Sequence, residues 1–398
     1  MNKTLKKAAA FAVAAASIAT VAGLTACTPG EASDVNIVIG VQQTSGNNYE
    51  AMCNFLDDIK DDLGFTYKTV LLESRDNNKN LTTFQNEILG GANGIISMVD
   101  MDAANLSALL EYCEQNNVYY GGYMSDFPNA VADESLINNP YLVGSVSDGE
   151  TDGNILGQYL FDAVVKSDAR TVVFTRFPAY AYPAAIDSVN AFKELAEEYN
   201  ATHDDDFSFP AIEGGDAADG AYVIDFAVQA VPDANITEWH NKGVDAIVSV
   251  NSLAKRILPA LTQNNINDVG IYSAGWDDSI IDSFGDNKPV KTLCQTPCET
   301  IVYPLVRIIN AVRGNSYSDE PTGADKIITG HYVYLTGTQD LEDGKENCMN
   351  FSDDRSPSRA LINADGIKSL LAGEEGATFA KLKDTIESWD TEYVLRRQ

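Results

Sequence analysis

Histidine is nearly missing from this chain. The three present, His203, His240 and His331, stand alone, with none of the spacings that metal ligands need. There is no Walker A loop, no G-x-S-x-G elbow and no H-E-x-x-H helix. Nothing therefore implies a cofactor or a metal, and the chain is not read as an enzyme. Basic residues are scarce too. Lys and Arg number 27 against 58 Asp and Glu, a formal charge of −31. Such a surface repels nucleic acid and anionic lipid. No apolar run reaches the ~20 residues of a membrane span. Cysteine is sparse: Cys53, Cys113, Cys294, Cys298 and Cys348 follow Cys27 at scattered positions. An odd set over a long chain is no disulfide framework. Cys53 and Cys113 fall on expected helices as buried thiols. In an exported chain, Cys294-Gln-Thr-Pro-Cys298 permits a disulfide.

What is present starts at the N-terminus. Lys3, Lys6 and Lys7 form a basic head, an apolar Ala/Val run spans 8–21, and small residues lead to Leu24-Thr25-Ala26-Cys27. This resembles the bacterial lipoprotein signal. That resemblance implies removal of residues 1–26, acylation of Cys27 and a body lipid-anchored outside the bacterial cell membrane. An ordinary cleaved signal with an incidental Cys is the other reading. Residues 27–34 are small and polar and read as a tether.

The body alternates. Val35–Val41 is a nearly continuous apolar run, expected of a strand buried on both faces. Residues 48–63 have helical period, 68–73 read as a strand, 81–89 as a helix and 94–99 as a strand. A helix at 105–116 and strands at 119–124 and 141–146 follow. The pattern restarts with a helix at 155–165, a strand at 171–175 and a helix at 184–199. A strand is expected in 206–212 and a helix over 222–230. Strands at 245–250, 269–274, 291–295 and 331–335 alternate with helices at 253–264 and 300–312. This is an α/β chain of βαβ units with mostly parallel sheets, long enough for two domains at about 100–200 residues each. Residues 338–357 are polar and irregular. Two short helices, 365–371 and 378–389, carry Leu370, Leu371, Phe379, Leu382, Ile386 and Trp389, which need burial.

Open parallel sheets bind ligands outside the carboxyl ends of their strands. Those ends hold Gln42 to Tyr49, Ser125-Asp126-Phe127, Arg176 to Tyr182, Asn251-Ser252, Trp276-Asp277 and Gln295. Amides and carboxylates exchange paired hydrogen bonds with hydroxyls, and flat rings cover the C–H face of a sugar. Other roles stay open for several of them. Asn48 and Asp277 suit helix caps, Trp276 suits a core, and Tyr180 with Tyr182 suits a rigid turn. Gly90-Gly91 ends a helix and is no phosphate loop. Asp216 and Asp219 lack calcium-loop spacing.

The strand Ile39-Gly40-Val41 before an Asn-plus-aromatic loop, Asp245-Ala-Ile-Val248 running into Asn251, Gly275-Trp276-Asp277, and Gln295-Thr296-Pro297 together resemble the type I periplasmic binding proteins of sugar ABC transporters, the ribose- and galactose-binding group. The resemblance spans about Val35 to Leu335. It implies two doubly wound parallel-sheet lobes joined by a three-segment hinge near Ser147, Thr296 and Gly330. The first lobe would be 35–146 plus 297–329, the second 147–296 plus 330–337, with 338–398 as a C-terminal extension. It implies Asn47, Asn48, Tyr49 and Asp126 as first-lobe ligand contacts, and Asn251, Trp276, Asp277 and Gln295 as second-lobe ones. The family's early second-lobe Arg is replaced by Asp187-Ser188; Arg176 would supply the guanidinium, with Tyr180 beside it. Ser252 stands where an Asp commonly follows Asn251. The implied job is capture of a small polar ligand, a sugar first, by hinge closure, and delivery to an ABC permease by a monomer. A nucleoside or other polar metabolite, or a sensor for a membrane receptor kinase, are the alternatives; an extracellular enzyme is the third.

Overall fold

The computed structural model describes residues 35–73, 76–149, 153–179, 182 and 184–396. Cys27 and the N-terminal signal lie outside the described residues, as do Tyr180 and the side chain of Asn47. Among the described residues no helix is long and apolar enough to cross a membrane.

The first strand, β1 (Val35–Val41), is buried along nearly its whole length. Helix α1 (Asn47–Leu63) lays Met52, Phe55, Leu56, Ile59 and Leu63 into the core. It stops at Gly64, whose φ of 67° closes the last turn in the left-handed region. Strand β2 (Phe65–Leu71), helix α2 (Asn77–Leu89), β3 (Gly94–Ser97), α3 (Ala103–Asn116) and β4 (Tyr119–Tyr123) alternate after it. Two single turns, α4 (Pro128–Val131) and α5 (Glu134–Ile137), precede β5 (Leu142–Val146).

The alternation restarts with α6 (Gly153–Lys166), β6 (Val172–Arg176), α7 (Ala184–Asn200) and β7 (Tyr222–Val223). Then come α8 (Asp233–Asn241), β8 (Ala246–Ser249), α9 (Ala254–Gln263), β9 (Gly270–Ser273) and β10 (Val290–Gln295). Helices α6 and α7 pack closely, and glycine permits it: a Cβ on Gly157 would stand 2.6 Å from the Ser188 carbonyl oxygen. Helix α10 (Val302–Val312) is buried on nearly all sides, against β3, β4 and β5. The last two strands are β11 (Ile327–Ile328) and β12 (Val333–Leu335).

Two six-stranded sheets result, in the orders β11-β5-β4-β3-β1-β2 and β12-β10-β9-β8-β6-β7. The first is parallel throughout; in the second only β12 runs antiparallel, on β10. The chain passes from the first sheet to the second after Val146, returns after Gln295, and passes over again after Ile328. Each passage follows the carboxyl end of a strand, so all three lie on the side where the strand-end loops gather.

Three stretches differ from the sequence pattern. Tyr222–Val223 is a strand on β6, not the start of a helix. Tyr222 sets its ring edge-on to Trp239 at 5.5 Å, and Ala221 and Ile224 are buried around it. In 206–212 only Ser208 bridges to Thr171; Phe207 and Phe209 turn inward onto Phe161, Phe174 and Phe192, and Pro210 lacks a ladder donor. Polar 338–347 forms a helix, α11 (Thr338–Asn347). Its cue is local: Asp340 Oδ2 accepts from the Thr336 N–H at 2.7 Å and from its hydroxyl at 2.8 Å, tying down the first turn. Three short helices complete the chain, α12 (Ala364–Lys368), α13 (Phe379–Glu387) and α14 (Thr391–Leu395). The six apolar residues expected to need burial there are all buried. The five described cysteines are thiols, not disulfide-bonded; Cys294 Sγ accepts from the Gly275 N–H at 3.2 Å instead of meeting Cys298.

Candidate functional site

On the first sheet, the loop after β4 is the most constrained. Met124 (φ 55°) and Phe127 (φ 47°) both adopt the left-handed region that non-glycine residues avoid. Phe127 is buried and stacked on Tyr120 at 5.5 Å, which anchors the loop and leaves Asp126 at its exposed crest. Ser125 donates to Asp100 Oδ1, at the end of β3, and accepts the Phe127 N–H at 3.3 Å. Asp148, just past β5, accepts from Thr296 Oγ1 at 3.0 Å, joining two of the inter-sheet passages. Partial desolvation of its carboxyl against the loop, then the charges of Asp100 and Asp148, push Asp126 up to about 6, although the residue itself stands largely in solvent. Burial raises Asp100 also, against the hydrogen bonds from Ser125 and Phe127.

That grouping has a pH signature. A carboxyl whose folded pKa is raised holds its proton longer folded than unfolded. Stability therefore falls as pH rises from about 4 to about 6, and the whole cost is present above that. Solvent at the exposed face screens part of the repulsion. Asp126→Asn is expected to raise Tm at pH 7 by roughly 2 °C, about 1 kcal/mol, and to gain nothing at pH 3.5. Melting curves across that range check it; a gain independent of pH would mean Asp126 feels neither burial nor its neighbours.

Asn48 reaches this loop from α1. Its Nδ2 donates to Met124 Sδ at 3.1 Å and its Oδ1 accepts from Asn350 Nδ2 at 3.2 Å. It does not cap its helix; Gly46 holds the N-cap position. Tyr49 shares a hydrogen bond of 3.0 Å with Thr69 on β2, the sheet's outer strand, which sets it apart from Asn48 and Asp126.

On the second sheet, Phe177 follows β6 and stacks on Phe226 at 4.6 Å and on Tyr182 at 5.7 Å. Arg256 holds its guanidinium 5.0 Å from the Phe177 ring. The Phe177 N–H donates to Asn251 Oδ1 at 2.8 Å, and the Asn251 carbonyl accepts from Ser249 Oγ and Ser273 Oγ at 2.7 and 3.1 Å. Asn251 is thus fixed with its amide NH₂ as the group left to donate. Gln295, at the end of β10, has a buried Oε1 with no partner among the described residues. Partial desolvation, then the charge of Asp148, raises the Tyr182 hydroxyl, so that hydroxyl feels the carboxylate that follows β5.

Arg176 is corrected from ligand contact to buried scaffold. Nε donates to Asp219 at 2.6 Å, Nη2 meets Asp216 at 3.3 Å, and Nη1 donates to the Phe177 carbonyl at 3.1 Å. Its charge is consumed, and it holds Phe177 in place. Asp277 caps the following 3₁₀ turn through the Ser279 N–H (3.0 Å) and pairs with Lys255 at 2.6 Å. Burial raises its carboxyl, but those bonds outweigh burial and hold it below the usual range. Trp276 donates to Asp278 at 2.9 Å and lays its ring 4.9 Å from Phe351.

The sequence reading overlooked Asp100, Asp148 and Phe226, and took Phe177 only as part of the loop from Arg176 to Tyr182. The first two follow β3 and β5, so the strand-end rule would have found them. It also missed the stretch 350–355, for which no local signal exists. Asn350 accepts the Cys298 N–H at 2.7 Å and donates to Asn48; Phe351 covers Trp276. Arg355 pairs with Glu50 of α1 at 2.8 Å and with Asp278 beyond β9. One short stretch thus bridges side chains of both halves. Among the described residues no cluster of three or more His, Cys, Asp or Glu is placed to hold a metal.

No protein-family model matches this chain, and no curated protein does. Solved structures do. A 5-methylthioribose transporter solute-binding protein from Thermotoga lettingae, in complex with 5-methylthioribose, superposes with a TM-score of 0.54 at 15% identity, over 84% of this chain and 96% of its own. A sugar ABC transporter protein from Yersinia enterocolitica gives 0.53 at 15%, over 89% and 94%. An ABC transporter solute-binding protein from Burkholderia graminis, in complex with D-arabinose, gives 0.52 at 11%, over 77% and 96%. This chain has the type I periplasmic binding protein fold. Asp126, Asp148, Phe177, Asn251 and Gln295 all follow or end strands of the two sheets, on the side where the chain passes between them.

Proposed function

We propose that this protein is an extracytoplasmic solute-binding protein of an ABC importer, held at the membrane by lipid on Cys27, which captures a small polyhydroxylated ligand, a sugar, in the interlobe cleft. The observation that carries the reading is the chemistry gathered at the strand-end loops of the two sheets. Carboxylates and an amide (Asp100, Asp126, Asp148, Asn48) stand at the first. The Phe177 cluster, the fixed amide of Asn251 and the unsatisfied Gln295 oxygen stand at the second. Hydroxyls donate to carboxylates and to Gln295, accept from Asn251, and leave a C–H face for an aromatic ring. In this reading Arg176 and Asp277 position the loops, Asn48 and Trp276 are held by the 350–355 stretch, and Asp126, Asn251 and Gln295 touch the ligand. A ligand that contacts both halves favours the closed form by its differential affinity alone. The sugars named for two of the similar structures support this class.

The test is a titration of the mature chain, without lipid, with pentoses, hexoses, a methylthiopentose and nucleosides. One sugar is expected to raise Tm by several degrees at 100 times its Kd, about 2.7 kcal/mol, and to reduce the radius of gyration in solution scattering. Asn251→Ala is expected to raise Kd about 30–100-fold, the loss of a buried hydrogen bond with its partner left unpaired. No response to any carbohydrate overturns the reading; a response to nucleosides alone moves it to that ligand class.

A further inference from the structure

A cavity with two buried cations in its wall lies against α10. It holds about 310 Å³ and opens between α10, the start of β5 and the segment leading to β11. In a chain with 27 basic and 58 acidic side chains, two of the cations are buried here. Arg307 is 6% exposed and Lys326 8%. Arg307 donates through Nε to the Val143 carbonyl at 3.0 Å and pairs through Nη2 with Glu320 at 2.6 Å. Lys326 Nζ donates to the carbonyls of Asn139 (3.2 Å) and Leu142 (3.0 Å), which uses two of its three protons. The one carboxylate lining the cavity, Glu320, is partly exposed, so two buried cations face a single screened negative charge. Asn310 on the same wall is 4% exposed. Its Oδ1 accepts the Ala372 N–H at 3.0 Å, while its buried Nδ2 has no partner among the described residues.

Structure alone accounts for part of this. The Nε and Nζ bonds tie down carbonyls at the start of β5. They do not account for a second buried cation beside the first, nor for a buried amide nitrogen with only the Tyr317 hydroxyl within reach. Burial and then the Arg307 charge push the Lys326 ammonium down to about 8, with Glu320 opposing. We infer that this cavity binds a small oxyanion, a phosphate- or carboxylate-bearing metabolite, at a site separate from the cleft. The anion would take the free Lys326 proton and the Asn310 amide, and would compete with Glu320 for Arg307.

The experiment uses the mature chain with inorganic phosphate and citrate as probes, at constant ionic strength against chloride. Either probe at 10 mM is expected to raise Tm by about 2 °C, saturably; phosphate alone or citrate alone names the group. Glu320→Gln removes the competing charge at a partly exposed position and is expected to tighten binding about 5–10-fold. Lys326→Gln is expected to weaken it at least 10-fold. Asn251→Ala, in the cleft, is expected to leave it unchanged. If Lys326→Gln does not fold, Glu320→Gln decides alone. No effect beyond chloride, or anion binding indifferent to Glu320→Gln, overturns the site. Loss of anion binding in Asn251→Ala would also overturn it, by placing the anion in the cleft.

Discussion

Trp389→Ala is expected to destabilise the whole molecule by about 3–5 kcal/mol, the usual cost of emptying a buried Trp or Phe site. Trp389 is 1% exposed and lies between α13, which packs on α10 of the first half, and α14, which packs on β12 of the second. Hydrogen bonds on either side of it fasten both halves. Glu387 accepts the Thr329 N–H at 3.1 Å, at one inter-sheet passage, and Thr391 Oγ1 accepts the Tyr334 N–H at 3.0 Å, on β12. The buried cluster holding Trp389 runs without a break through Val35 and Ile37, Val173 and Leu293, Met349 and Phe351. The C-terminal segment thus adds two connections between the halves to the three already made, one at 350–355 and one at 387–391. Urea unfolding read by fluorescence and by circular dichroism should show one transition, shifted down by that amount. A loss below about 1 kcal/mol, or two separated transitions, would make the segment an appendage. For function the consequence is restraint: any opening of the cleft must be accommodated by the Arg355 pairs with Glu50 and Asp278.

The fold was legible where burial writes itself into composition. Val35–Val41 and Gly94–Ser97 are apolar on both faces because helices cover both sides of a parallel sheet, and α1 shows its stripe because only one face is buried. Legibility failed where the deciding neighbour is distant in sequence. Tyr222 becomes a strand because β6 and Trp239 await it; Phe207 and Phe209 leave the ladder because an aromatic pocket accepts them. The site follows the same division. Strand ends are local facts, so Asn251, Asp126 and Gln295 could be singled out by position. Whether a side chain at such an end is available is not local. Arg176 is claimed from 43 residues away by Asp219, Trp276 is covered by Phe351, and Asn48 is met by Asn350 across 302 positions.

Asp219→Ala is expected to cost about 3–5 kcal/mol, because it strands a buried guanidinium. Both side chains of the pair are essentially inaccessible, and Asp219 Oδ1 also accepts the Ala221 N–H at 3.0 Å. Asp216, at 3.3 Å and partly exposed, offers partial compensation, which places the effect toward the lower figure. Removing both charges is a different matter. Arg176→Met with Asp219→Ala eliminates the desolvation cost together with the attraction, so the double variant is expected to recover most of the lost stability. Ligand affinity should not recover with it. Arg176 Nη1 holds the Phe177 carbonyl, and the Phe177 N–H holds Asn251 Oδ1. Without the guanidinium the aromatic ring and the amide lose their common support. The double variant should therefore melt near the parent while its Kd for the cleft ligand stays raised about 10-fold or more. Recovery of affinity along with stability would reduce Arg176 to a filler of the second sheet, and the loop after β6 would then owe its shape to the Phe177–Phe226 stack alone.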